Sequence, residues 1–275
     1  MKATALNVIQ KTKDIVDFRS QLLNLKLKSF QPKINFKLEL GDYIVKTAET
    51  KQELEQILKL RYQVFIKEGL GKRKFMGVDF DRYDLIADHI VVKNKITNEV
   101  IGTYRLLCST FTDDFYSQNE FTLQKFLSSP GIKLELGRAC THRFFRNGIT
   151  LNLIWKGIGE YAKKTNADYL FGCASVKTID PGLSMVIFQS LKEHHSFDYE
   201  IHPTSDFQFE KFDFKPGYFK SELVEEKIPS LLKSYIKAGA KIHGYPAVDY
   251  DFDCIDFLTV LDLRTINERF KARYF

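Results

Sequence analysis

Two arginines stand inside runs that otherwise read as apolar β-strands: Arg105 within Val100-Ile-Gly-Thr-Tyr-Arg105-Leu-Leu-Cys108, and Arg138 within residues 132–140. An unpaired ion in a strand interior is expensive to bury, so each of these cations demands an acid close by. A third, Arg61, falls on the apolar stripe of a helix that starts from a capping box at Thr50 and Glu53 and runs through Leu54, Ile57, Leu58 and Phe65 to about Lys67. Arg61 either snorkels past the rim of that stripe or meets a buried carboxylate. Candidate partners lie in Asp79-Phe-Asp81-Arg-Tyr-Asp84, followed by Asp88-His89 at the head of a strand; in isolation this run is a solvated acidic loop. Glu135 and Arg138 are three apart on one strand and point to opposite faces unless a β-bulge intervenes. A bulge there would splay the strand from its neighbour and open a slot.

The rest of the chain supplies strands and helices in alternation. Residues 36–48, 86–93, 100–108, 132–140, 169–174 and 257–263 read as strands, the second and third as a hairpin turning at 94–98. Leu151, Ile154, Trp155, Ile158 and Ala162 share one face of a helix after Gly148; Asp180-Pro181 caps another helix reaching about Glu193, and residues 228–238 form a further one. The 275 residues, 44% hydrophobic, can bury a large core, and no linker-like stretch divides them. The expected organisation is therefore a basic amphipathic arm, residues 1–40, and a single domain, residues 41–275. Eight Lys/Arg face three acids in the arm, against 33 and 32 in the remainder. That concentration argues against a nucleic-acid-binding body and for an extension that either docks on the domain or lies on an anionic membrane surface.

No window holds the roughly 18–20 apolar residues of a membrane span, and Lys11, Lys13, Asp14 and Asp17 interrupt any signal-peptide core, so the expected location is cytoplasmic. Cys108, Cys140, Cys173 and Cys254 show no ligand spacing and are expected as reduced thiols. Asp249-x-Asp251-x-Asp253 begins like a calcium loop, but Cys254 and Val260 occupy the positions that need Gly and Glu; His194-His195 has no ligand partner at a useful spacing. No metal is expected. The strand, loop and helix over 134–161 are more informative. An apolar strand there feeds His142, Arg143, Arg146 and Gly148 into a helix N-terminus, where free backbone N–H groups can hold a phosphate; such a turn is also an ordinary connection.

Taken in order, Arg61-Tyr-Gln-Val-Phe65, Asp81-x-x-Asp84, Val100-Ile-Gly-Thr-Tyr-Arg105-Leu-Leu and Glu135-Leu-Gly-Arg138 resemble the acyl-homoserine lactone synthase-like branch of the GNAT acyltransferase superfamily. Glu135-Leu-Gly-Arg138-Ala-Cys140, Leu153-Ile-Trp155-Lys-Gly157 and Leu170-Phe-Gly172-Cys-Ala-Ser175 more closely resemble ornithine lipid and N-acyl amino acid synthases, as does Pro229-x-Leu231 through Gly244-x-Pro246-Ala-x-Asp249. The likeness spans about residues 42–263.

The resemblance implies a mixed α/β, GNAT-like fold: a central mixed sheet flanked by helices, with helical additions at both ends. It implies transfer of a fatty, sometimes 3-hydroxylated, acyl group from acyl carrier protein to the α-amine of an amino acid such as ornithine, lysine or glycine. The donor is the carrier's 4'-phosphopantetheine thioester, a co-substrate rather than a resident cofactor. Glu135, Arg138, Asp81 and Asp84 are the implied catalytic group; Arg61, Phe65, Arg105, Cys140 and Ser175 the substrate-binding group; Arg143, Arg146 and Gly148 the pantetheine phosphate site. Asp81 and Asp84 either hold the arginines in place or bind the acceptor's ammonium. Arg146 replaces the first glycine of the superfamily's phosphate loop, which crowds a CoA pyrophosphate and favours a single phosphodiester. Residues 72–74 with Arg143, Arg146, Lys156, Lys163 and Lys164 are candidates to face an acidic carrier. The rival readings are a lactone synthase, whose tryptophan after the Arg61 to Phe65 segment is missing here, and a lipid-binding module without catalysis.

Overall fold

The computed structural model describes residues 25, 27–73, 76–209 and 221–275. The expectations for residues 1–24 and 26 of the arm, and for Lys74, lie outside the described residues. Ten strands form one sheet: β1 (Lys37–Leu40), β2 (Tyr43–Thr47), β3 (Asp88–Asn94), β4 (Val100–Cys108), β5 (Lys133–Thr141), β6 (Tyr169–Val176), β7 (His195–Ser196), β8 (Lys241–His243), β9 (Ala247–Asp249) and β10 (Cys254–Asp262). Their order is β1-β2-β3-β4-β5-β6-β10-β8-β7, with β9 also on β10; β5 and β6 run parallel, as do β7 and β8, and the other pairs are antiparallel. Residues 36–48, which read as one strand, are a hairpin because Gly41 takes a positive φ and turns the chain. β1, within the basic arm by charge, is thus the sheet's edge strand. Asp88 ties the preceding segment down by accepting the backbone N–H groups of Lys33 and Ile34.

Helices α1 (Lys51–Arg61), α2 (Gln124–Ser128), α3 (Ile149–Thr165), α4 (Pro181–Ser190), α5 (Ser221–Lys227), α6 (Ser230–Ala238) and α7 (Glu268–Tyr274) flank the sheet. Alternation along β3 assigns the two largest to opposite faces: Ile90 and Val92 pack in the cluster containing Ile154, Trp155 and Ile158 of α3, and Val91 packs in that of Leu54, Ile57 and Leu58 of α1. Thr50 caps α1 by accepting the N–H of Glu53, but Glu53 reaches back to Glu49 rather than to Thr50, its other contacts being Lys46 and Lys93. Beyond Arg61 the helix continues as a wider π-turn, Tyr62–Gly69, which carries Phe65. Asp180 caps α4 through the N–H of Leu183, as its sequence foretold. Among the described residues no helix is long and apolar enough to cross a membrane.

Candidate active site

Arg61 ends α1 only 1% exposed, and it is paired rather than snorkelling. Its Nε and Nη2 donate to Asp79 Oδ2 at 3.0 and 2.8 Å, and Nη1 donates to Asp84 Oδ1 at 2.5 Å. Arg105, 2% exposed on β4, donates to both oxygens of Asp81 at 2.7 Å and to Asp84 Oδ1 at 3.2 Å. Arg138 Nη2 lies 3.5 Å from Asp81 and its Nε 3.7 Å from Asp79. The aspartates also close the tight turn that presents them: Asp81 accepts the N–H of Tyr83, and Asp84 that of Asp81. Burial alone would raise the Asp84 carboxyl, yet Arg61 and Arg105 hold it well below the usual carboxylate range. His89, pushed down to about 4 chiefly by its burial, stays neutral beside them. Asp81 and Asp84 therefore spend their oxygens on arginines and turn amides.

Arg138 is also where β5 departs from regular pairing. Thr103 faces Cys140 and Arg105 faces Gly137, so Arg138 and Ala139 together oppose Tyr104, and Arg138 takes φ of 53°. This bulge is the condition under which Glu135 and Arg138 need not face opposite ways, and both side chains line one cavity. On its other side β5 pairs with β6 only from Lys133 to Glu135; past Glu135 and Phe171 the parallel strands diverge. Gly172 sits at the crotch, where a Cβ would lie 2.2 Å from the Leu136 carbonyl oxygen, so only glycine permits so close an approach. The opening is a cavity of about 830 Å3. Of the expected residues, Phe65, Glu135, Arg138, Cys140, Arg146, Gly148 and Ser175 line it, whereas Arg61, Arg105, Asp81 and Asp84 do not. Arg143 is not part of the lining and lies over the Phe144 ring.

Residues 60–156, which span Arg61 to the start of α3, match the family model described as an acetyltransferase (GNAT) domain. An L-ornithine N(alpha)-acyltransferase of Rhizobium meliloti is 30% identical over 254 residues, 82% of this chain and 82% of its own length. The chain belongs to the L-ornithine N(alpha)-acyltransferase family. A relative of the same name from Brucella abortus is 28% identical over 86% of this chain and 89% of its own. Among solved structures, the AHL synthase LasI aligns over 85% of this chain and 94% of its own with a TM-score of 0.49 and 15% identity.

Several groups in this acyltransferase have chemistry that burial decides. Glu135 accepts the backbone N–H groups of Tyr116 and Ser117 at 2.8 and 2.6 Å, and burial raises its carboxyl above the ordinary value despite those bonds. The Cys140 thiol is pushed up to about 12 by burial, so it is protonated and a poor nucleophile at neutral pH. Arg146 is engaged, donating to Glu68 at 2.6 Å and to the Thr141 carbonyl at 3.1 Å beside Gly148. Ser175 donates its hydroxyl to Asp256 Oδ1 at 2.6 Å.

Asp256 belongs to a group that sequence reasoning missed. With Glu120 and Asp249 it lines the same cavity, and all three are buried. Asp249, which ends the family-like string from Pro229 and begins a run that reads like a calcium loop, accepts the backbone N–H groups of Asp251 and Phe252 in a tight turn. The signal available for Asp256 was that of Arg105, a charge within an apolar strand; Glu120, among the aromatics 115–121, offered none. Donor atoms of Asp249, Cys254 and Asp256 lie within 4.8 Å of one another, but the set is one thiol with two carboxylates and holds no histidine. It fits neither a zinc centre nor an all-oxygen calcium site.

Proposed function

We propose that this acyltransferase moves a fatty acyl group, plain or 3-hydroxylated, from the 4'-phosphopantetheine thioester of acyl carrier protein to the α-amine of an amino acid, with L-ornithine the acceptor that its relatives' names support. The observation that carries this reading is the divergence of β5 from β6 past Glu135, which leaves a strand edge open along a largely apolar cavity beside Arg146 and Gly148. A pantetheine arm pairs with such an edge, and the acyl chain lies against residues such as Leu136, Leu151 and Ile154.

Attack requires a neutral amine. A carboxylate has four lone-pair sites, so Glu135 retains acceptor capacity beyond its two N–H bonds and takes the amine proton through one water. The nitrogen then forms the C–N bond to the thioester carbonyl carbon, the C–S bond breaks, and the pantetheine sulfur leaves as a thiol with the proton that the attacking nitrogen gives up. A backbone N–H of the bulge between Arg138 and Cys140 faces the oxyanion, and Arg138 meets the acceptor's carboxylate. Arg146, in place of a loop glycine, supports the carrier protein over CoA as donor. The product partitions into membrane, so the cationic arm and exposed Arg269, Lys271 and Arg273 of α7 lie against anionic lipid. Liposome co-sedimentation unchanged by deleting residues 1–30 would remove the arm from that picture.

The decisive experiment is mass spectrometry of products from acyl carrier protein and, in parallel, acyl-CoA donors over a mixed amino acid pool. An acylated amino acid made from the carrier donor alone is the expected result. A homoserine lactone product, or no product with liposomes present, would replace this reading with the lactone synthase or the lipid-binding module.

A further inference from the structure

Glu120 follows the short turn Tyr116–Asn119, Asp249 ends β9, and Asp256 is the third residue of β10. They are 1%, 6% and 3% exposed and share the wall of the cavity with Ser175 and Cys254. Among the described residues no lysine, arginine or histidine is ion-paired to any of the three; in the lining, Lys177 pairs with Asp253, and Arg138, whose charge favours an ionised Asp256, pairs with Asp79 and Asp81. Their hydrogen bonds come from a hydroxyl, a thiol and turn amides: Ser175 Oγ to Asp256 Oδ1 at 2.6 Å, Cys254 Sγ to Asp256 Oδ2 at 3.5 Å, and the two N–H groups on Asp249 Oδ1. Glu120 Oε2 is buried in the lining and makes no hydrogen bond, the Cys173 and Tyr116 side chains being the groups beside the carboxyl.

Three carboxylates without an ion-paired cation are costly to bury, and the cluster shows it. Burial first, then the charges of Asp256 and Asp249, drive the Glu120 carboxyl well above its ordinary value. Burial, with Asp249 beside it, raises Asp256 to about 6. What the cluster lacks is a compact donor of positive charge with several N–H bonds and no acceptor, which describes an alkylammonium.

We propose that Glu120, Asp249 and Asp256 form the subsite for the side-chain ammonium of a diamino acid acceptor, and that this subsite selects such acceptors over neutral amino acids. The assignment rests on the reading that the chain acylates an amino acid's α-amine. It places the second amine, which must not react, against acids that keep it protonated, while the α-amine faces Glu135. A metal at Asp249, Cys254 and Asp256 would leave the unpartnered oxygen of Glu120 unanswered; an ammonium satisfies it.

The test uses the full chain with acyl carrier protein donor and compares ornithine with norvaline, which has the same carbon skeleton without the second amine. Binding of each amino acid alone is measured in parallel by thermal shift. Wild type is expected to prefer ornithine by roughly 10^4-fold in kcat/KM, as sites built around a buried polar partner do. Glu120→Gln and, independently, Asp256→Asn should narrow that preference to about 10-fold, mainly through KM for ornithine, and abolish stabilisation by ornithine alone. Equal use of ornithine and norvaline by wild type would overturn the subsite and leave acyl transfer standing. No acylation of any amino acid would instead remove the underlying reading. Two other results would also overturn the subsite: loss of norvaline acylation in Glu120→Gln with a displaced pH–rate profile, which would make Glu120 the base, and a bound metal ion that Asp256→Asn releases.

Discussion

Arg61, Arg105 and Arg138 meet Asp79, Asp81 and Asp84 at no more than 3.7 Å, three guanidinium groups against three carboxylates, of which Arg138 alone also lines the cavity. Glu120, Asp249 and Asp256 are as deeply buried in the same molecule, yet no cation among the described residues is paired with them. The first group is neutral by itself, and apart from the side that Arg138 turns to the cavity its work is internal: it pins the end of α1 and the 79–85 loop to β4 and to the bulge of β5. The second stays folded only by holding protons or by taking a positive ligand. Burial of charge therefore does not mark a binding site; imbalance of buried charge does.

Breaking the balanced group should give the largest effect. Arg61→Ala leaves Asp79 and Asp84 charged and buried without their main partner, and loss of one member of a buried ion pair typically costs about 3–5 kcal/mol. Urea unfolding should show that loss; a change under 1 kcal/mol would mean that water already screens the network. The unbalanced group should respond in the opposite direction. Folding keeps Asp256 protonated up to about pH 6 rather than 3.8, so the folded state loses stability as pH rises from about 4 to 6 and carries the full penalty above it. Asp256→Asn removes that penalty while the amide oxygen still accepts from Ser175. Stabilisation should be absent at pH 3.5, grow through pH 6 and reach at most about 3 kcal/mol at pH 8. A variant less stable than wild type at pH 8 would show that the ionised carboxylate is already compensated.

The comparison also explains what could be read from sequence. Arg105 and Arg138 stand out because a cation inside an apolar strand violates the period-two pattern, and the acids that answer them lie in one short run, Asp79 to Asp84. The spacing of Glu135 and Arg138 leaves opposite faces or a bulge open, and the structure has the bulge that puts both on one cavity. The acidic group is scattered: Glu120 follows a tight turn, Asp249 ends a three-residue strand, and Asp256 is the third residue of the longest late strand. Only the pairing of β10 with both β6 and β9 assembles them, and no local pattern encodes that pairing. Asp249 even pointed elsewhere, because its side chain closes a turn that reads like a calcium loop.

Glu135 lies between the two groups in character, buried like both but held by backbone amides rather than by ions. Glu135→Gln keeps one oxygen for those amides and removes the proton acceptor, so kcat should fall about 100-fold with carrier binding unchanged. A collapse in stability with kcat per folded molecule preserved would make Glu135 a turn cap and not a base.

The smallest effect belongs to the exposed pair at the cavity mouth, and it sharpens the contrast with Arg61. Arg146 and Glu68 are 2.6 Å apart, but their side chains are 48% and 23% exposed, so solvent screens the pair and it contributes about 0–1 kcal/mol to stability. Arg146→Ala should unfold at nearly the wild-type urea concentration. Its function should change more than its stability: if the loop meets the carrier's phosphodiester, carrier affinity falls about 10-fold at low salt, and the deficit shrinks as ionic strength approaches 1 M. Measured against acyl-CoA, the same variant should gain rather than lose, because the bulky cation no longer occupies a loop position where a pyrophosphate needs room. A loss with both donors that ignores salt would mean that Arg146 serves the loop through Glu68 and Thr141 alone, as Arg61 serves its aspartates, and that the donor's phosphate is held elsewhere.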